Sequence, residues 1–219
     1  MLIENLFLRT VIFIKMKKFR NLAFRTLIFG ATFLFAGSLL ASATGNLKIE
    51  TDSNEKSIHL SFHPNTKSDV LIQIKDNNDA ILHTEKVVNQ KFFAKKFNLK
   101  NLPEGTYYLV VTDELKEVVQ PIEILVSKVA MDPDTRMEYY KPVYRFQDNK
   151  LDINLLALNN ADIDMEVFDF ENQLVFSKTF ENTDKTFGQR FDLSKLANGK
   201  YSIKITTGNH TYYKTVEVK

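Results

Sequence analysis

Four histidines, His59, His63, His83 and His210, are the natural candidates for metal ligation or acid–base work in this sequence, and no cysteine accompanies them. His59 and His63 fall on the outer face of one predicted strand. Four residues at about 3.3 Å each hold them about 13 Å apart, too far to share a metal ion. Carboxylates offer another possibility: Asp132 with Asp134, or Asp162 with Asp164, would make an oxygen-rich loop for calcium. Each pair brings two carboxylates where Ca²⁺ takes roughly six to eight oxygens, and neither has the spacing of an EF-hand loop. A Gly-x-Ser-x-Gly elbow and a Gly-rich phosphate loop are both missing. The chain is therefore expected to be no enzyme, with no catalytic residue, no metal and no cofactor.

Aromatic residues are the remaining candidates for contact chemistry. Phe92-Phe93, Tyr107-Tyr108 and Tyr212-Tyr213 are adjacent pairs, so in a strand one ring of each turns inward and its neighbour outward. Tyr108 or Tyr213 would then be available to a protein or a glycan, although the chain has no Trp. Lys91, Lys95 and Lys96, beside Phe92 and Phe93, read as a solvated edge, not a nucleic-acid site.

The elements that carry these residues occur twice. Phe97-Asn98-Leu99-Lys100-Asn101-Leu102-Pro103-Glu104-Gly105-Thr106-Tyr107 returns 94 residues later as Phe191-Asp192-Leu193-Ser194-Lys195-Leu196-Ala197-Asn198-Gly199-Lys200-Tyr201. Upstream, Ile58, Leu60 and Phe62 align with Leu151, Ile153 and Leu155; downstream, Val119, Ile122 and Ile124 align with Tyr213, Val216 and Val218. In the shared Leu-x-x-Leu-x-x-Gly-x-Tyr element, Leu99 and Leu102 lie where the chain crosses between two sheets. Gly105 permits a backbone turn closed to other residues, and Tyr107 enters the next strand. Leu193, Leu196, Gly199 and Tyr201 repeat the arrangement, which is similar to the tyrosine corner of immunoglobulin-like sandwiches.

Period-two alternation, as in Ser57 to Phe62, gives about seven strands per copy, separated by turn clusters such as Asp76-Asn77-Asn78-Asp79 and by Gly208-Asn209. The expected fold is all-β: two tandem immunoglobulin/fibronectin-III-like sandwiches, at 44–127 and 142–219, joined by a semi-rigid linker over 128–141.

Residues 1–43 read as a signal peptide: Lys17, Lys18, Arg20 and Arg25 precede the apolar Leu27 to Leu40, and Ala41-Ser42-Ala43 offers a cleavage site. Met16 opens such a segment by itself, which points to it as a possible true start. An uncleaved anchor helix over Leu27 to Ala43 is the competing reading. Without residues 1–43 the chain keeps 23 basic against 26 acidic residues, a net charge of −3, so the basic pI is no argument for nucleic acid or an anionic membrane as partner. An exported chain with no cysteine must be stable without disulfides, through a hydrophobic core in each module.

Met165-Glu166-Val167-Phe168-Asp169, the Phe191 to Ile205 stretch and the closing Lys214-Thr215-Val216-Glu217-Val218-Lys219 resemble the C-terminal sorting domain of the Por, or type nine, secretion system, over residues 150–219. Small exported immunoglobulin-like β-sandwich proteins share the motif. The resemblance implies a β-sandwich and export to the periplasm, outer surface or medium, with secretion machinery as a possible partner. From the residues, the expected role is a non-catalytic cell-envelope module for surface recognition or structural support, with a protein or glycan partner and no membrane contact beyond the leader. A sorting signal in the second module and an adhesin-like or glycan-binding accessory module are the alternatives.

Overall fold

A computed structural model describes residues 45–64, 68–182 and 184–219; the expected signal peptide over 1–43 lies outside them. Among the described residues no helix is long and apolar enough to cross a membrane. The chain divides between Lys141 and Pro142 into two units, each an all-β sandwich of two sheets.

The first unit contains β1 (Gly45–Thr51), β2 (Ser57–His63), β3 (Val70–Asp76), β4 (Ile81–Val87), β5 (Phe93–Asn98), β6 (Gly105–Thr112), β7 (Lys116–Ile124), β8 (Val129–Ala130) and β9 (Met137–Tyr140). One sheet is ordered β1-β2-β5 and the other β4-β3-β6-β7-β8, with β9 also on β7. Alternation decides which side chains meet. Ile58, Leu60 and Phe62 of β2 face Ile72 and Ile74 of β3 and Leu109 and Val111 of β6 in one buried cluster, while His59 and His63 are exposed.

The second unit repeats the plan with β10 (Val143–Gln147), β11 (Lys150–Leu156), β12 (Ile163–Phe168), β13 (Leu174–Phe180), β14 (Thr186–Asp192), β15 (Gly199–Thr207) and β16 (His210–Val218). Its sheets are β10-β11-β14 and β13-β12-β15-β16. Three strands facing four is the strand arrangement of a fibronectin type III-like sandwich, and the first unit keeps that order in β4-β3-β6-β7 while adding β8 and β9 on the outer edge of β7. Leu151, Ile153, Met165, Val167, Phe191 and Ile203 fill the second core.

Residues 128–141, expected as a linker, are part of the first unit. β8 and β9 pair with β7, and a 3₁₀ turn (Pro133–Thr135) lies between them. Strands of two and four residues are too short to show a period of their own; their pairing with β7 creates them.

The hairpin turns are also repeated. Asp76 Oδ1 accepts from the backbone N–H of Asn78 (2.8 Å) and Ala80 (2.9 Å), and Asp169 Oδ1 accepts from Glu171 and Gln173 (both 2.9 Å). Asp79 (φ 62°) and Asn172 (φ 58°) supply the left-handed residue that each turn requires, a conformation that short polar side chains tolerate.

Candidate functional site

The repeated element builds the same corner in each unit. Where the chain leaves β5 for the opposite sheet, the Leu99 N–H donates to the Lys56 carbonyl (2.8 Å) and the Leu102 N–H to the Leu99 carbonyl (3.1 Å). Gly105 (φ 144°) turns the backbone into β6, and Tyr107 donates its hydroxyl hydrogen to the Pro103 carbonyl at 3.1 Å. In the second unit Leu193 N–H donates to Asn149 (2.8 Å), Leu196 N–H to Leu193 (3.0 Å), and Tyr201 Oη to Ala197 (2.9 Å). Gly199 (φ 155°) takes the turn.

The polar groups at this corner fix its geometry. Burial, and then the negative charge of Asp169, raise the Tyr201 phenol above its ordinary pKa, so it remains a neutral donor. Asp192 is held below the usual carboxylate range, first by a hydrogen bond from the Ser194 side chain; the Ser194 backbone N–H also donates to it, at 3.0 Å, and Lys150 and Lys195 stand nearby. The corner is a lock between the two sheets.

The remaining chemistry-bearing residues are dispersed. His63 packs on Phe92 (5.1 Å between ring centroids) and His83 edge-on to Phe97 (5.6 Å), so the two are engaged separately. Asp132 caps the 3₁₀ turn by accepting from the Asp134 N–H (3.0 Å), and Asp164 accepts from the Thr179 hydroxyl (2.6 Å). Among the described residues no group of three or more His, Cys, Asp or Glu could hold a metal ion. Lys95 pairs with Glu85 (2.6 Å), and Lys96 with Glu55 (3.0 Å) and Asp52 (3.4 Å), which leaves little basic patch around Phe93. Within the aromatic pairs Phe93 is buried at 6% exposure and Phe92 stands at 54%; Tyr213 is the most open tyrosine, at 67%.

Three arrangements escape sequence reasoning because they need the register. Asp152, only 9% exposed, sits opposite Arg190 across the β11–β14 ladder and accepts a two-point hydrogen bond from its guanidinium (2.5 and 2.8 Å). Asn149, in the turn between β10 and β11, clasps Lys219 from both sides: its Nδ2 donates to the Lys219 carbonyl (2.6 Å) and its Oδ1 accepts from the Lys219 N–H (3.2 Å). On the outer edge of β7, Lys116 pairs with Glu138 of β9 at 3.0 Å. The edge of β16, the equivalent strand, carries no further strand among the described residues.

Residues 147–219 match the family of secretion system C-terminal sorting domains. The match spans the sandwich from the end of β10 to Lys219 and bears out the resemblance read from residues 150–219. No curated protein matches the chain in sequence. Similar solved structures include a biofilm-associated protein BSP domain (15% identity, TM-score 0.26), of whose chain 29% is covered by 78% of this one. Others are the FN1–FN3 domains of chicken CNTN1 (9% identity, TM-score 0.26, 80% of this chain and 66% of that one) and two fibronectin type III domains of chicken tenascin (9%, 0.25, 80% and 98%). This chain thus spans less than a third of the biofilm protein's chain and about two thirds of the CNTN1 segment. The sorting-type unit fits an exported β-sandwich protein.

Proposed function

We propose that the second unit, residues 142–219, is a sorting signal of the type nine secretion system and that the first unit, residues 45–141, is the module it delivers. The supporting observation is the coincidence of boundaries: the family match, 147–219, falls within one folded unit and stops short of the other. The first unit shares the fold and the corner but lies outside the match, as expected of a passenger. Its role is recognition or structural support at the cell envelope, by surface contact and not by catalysis. Deletion of residues 142–219 tests this reading. The full chain should reach the cell surface or medium and the truncated chain should stay in the periplasm; equal release of both would refute a sorting role.

A further inference from the structure

The two units differ along the outer edge of the last sandwich strand. In the first unit this edge is closed. Met137–Tyr140 pairs with Lys116–Val119, and Val129–Ala130 pairs with Glu123–Ile124. Between them Pro121 has no N–H to offer, and the covering chain leaves the ladder through its 3₁₀ turn. Gln120, at 0% exposure, holds that detour: it donates to the Asp132 carbonyl (2.9 Å) and accepts from Arg136 Nε (3.1 Å).

In the second unit the equivalent nine residues pair only with β15 among the described residues, in unbroken register. Thr215 stands where the first unit has Pro121 and Lys214 where it has Gln120, 94 residues on. Thr207 and His210 flank the two-residue hairpin as a hydrogen-bonded pair, so the N–H and C=O groups of Thr211, Tyr213, Thr215 and Glu217 point away from β15. Natural sheets blunt such edges with charged side chains, a proline, a bulge or a cover, and β16 carries the charged Lys214 and Glu217. The β16 edge has no proline and no bulge, and its counterpart β7 is covered by a strand.

We propose that β16 is a strand-addition site, which takes an extended segment of a partner polypeptide in antiparallel register with an acidic residue opposite Tyr212. Main-chain hydrogen bonds from Thr211 and Tyr213 would hold the segment, and side chains would select it. Its acidic character follows from charge. His210, Tyr212 and Lys214 alternate onto one face, so a residue opposite Tyr212 lies diagonal to the Lys214 ammonium. Lys214 Nζ rests 5.9 Å above the Tyr144 ring and forms no salt bridge among the described residues. The first unit shows the solution: Glu138, opposite Val118 at the equivalent position, reaches diagonally to Lys116. This site goes beyond the sorting reading and stands whether or not residues 142–219 direct export.

The test titrates the ¹⁵N-labelled chain from residue 44 onward with a synthetic peptide of the sequence of residues 127–141. Binding should shift the amide signals of Thr211 and Tyr213 and slow their exchange about tenfold or more, with the amides of residues 116–119 unchanged. Lys214→Glu in the chain, or Glu138→Lys in the peptide, should weaken binding about tenfold. Tyr213→Pro should abolish it while the melting temperature holds, because the lost N–H faces away from β15. If that variant fails to fold, the Lys214→Glu comparison decides. Absence of any β16 shift at about 1 mM peptide, shifts confined to β7, or full affinity after Lys214→Glu would each overturn the proposal. Concentration-dependent dimerisation that protects Thr211 and Tyr213 without peptide would also overturn it, by assigning the edge to a second copy.

Discussion

Tyr201 donates its hydroxyl hydrogen to the carbonyl of Ala197, four residues earlier, at 2.9 Å, and so ties the start of β15 to the loop that has just crossed from the opposite sheet. Tyr107 and Pro103 stand in the same relation in the first unit. The ring fills the core at 6% exposure while its oxygen satisfies a carbonyl that the crossing would otherwise leave unpaired.

Removal of that oxygen separates the two contributions. Tyr201→Phe keeps the ring and should cost about 1 kcal/mol for the lost hydrogen bond. Urea unfolding of the variant measures it, and an unchanged midpoint would show that the corner hydrogen bond contributes nothing.

Leu193 and Gly199, at the same corner, fail for different reasons. Leu193→Ala opens a cavity in a filled core and should cost about 2 to 5 kcal/mol. Gly199→Ala meets nothing closer than Phe170 Cδ1 at 3.8 Å, so its cost is backbone strain alone at φ 155°, about 1 to 3 kcal/mol. Addition of Phe170→Ala to Gly199→Ala should recover none of that loss, as the urea midpoint of the double variant will show.

The Asp152–Arg190 pair is costly to break from one side. Arg190→Gln leaves a nearly buried carboxylate without its two-point donor and should destabilise by about 1 to 3 kcal/mol. The double variant Asp152→Asn/Arg190→Gln should recover part of it, and strict additivity of the two single losses would contradict the coupling.

Asp192 sets an acid limb. Its pKa lies lower in the folded chain than the ordinary 3.8, so its contribution is fully present above that value and disappears as the pH falls through the folded pKa. Wild type should exceed Asp192→Ala in stability at pH 7, and the two should converge as the pH falls below the folded pKa; a difference that stays constant through the acid range would contradict the assignment.

Much of this fold is written locally. Ser57 to Phe62 and Lys150 to Leu156 alternate so regularly that strand and inner face follow from the residues alone, and the duplicated Leu-x-x-Leu-x-x-Gly-x-Tyr element places both sheet crossings. What the sequence hides depends on partners distant along the chain. Met137 to Tyr140 shows no strand period of its own and becomes one by pairing with β7. Asp152 falls on the outward phase of its strand, so alternation marks it as solvated; the register that brings Arg190 opposite explains its burial. The contrast between a covered β7 and a β16 that pairs only with β15 among the described residues lies mainly in what surrounds each copy; within the copies it shows only where Gln120 and Pro121 give way to Lys214 and Thr215.

Export by the second unit alone decides whether residues 142–219 act as a sorting signal. A reporter fused ahead of residues 142–219, behind a cleavable signal peptide, should appear at the surface or in the medium of a host with type nine secretion, and should remain in the periplasm when that system is disabled. A reporter retained in the periplasm of the intact host, with the unit folded, would contradict the assignment of residues 142–219 as a sorting signal.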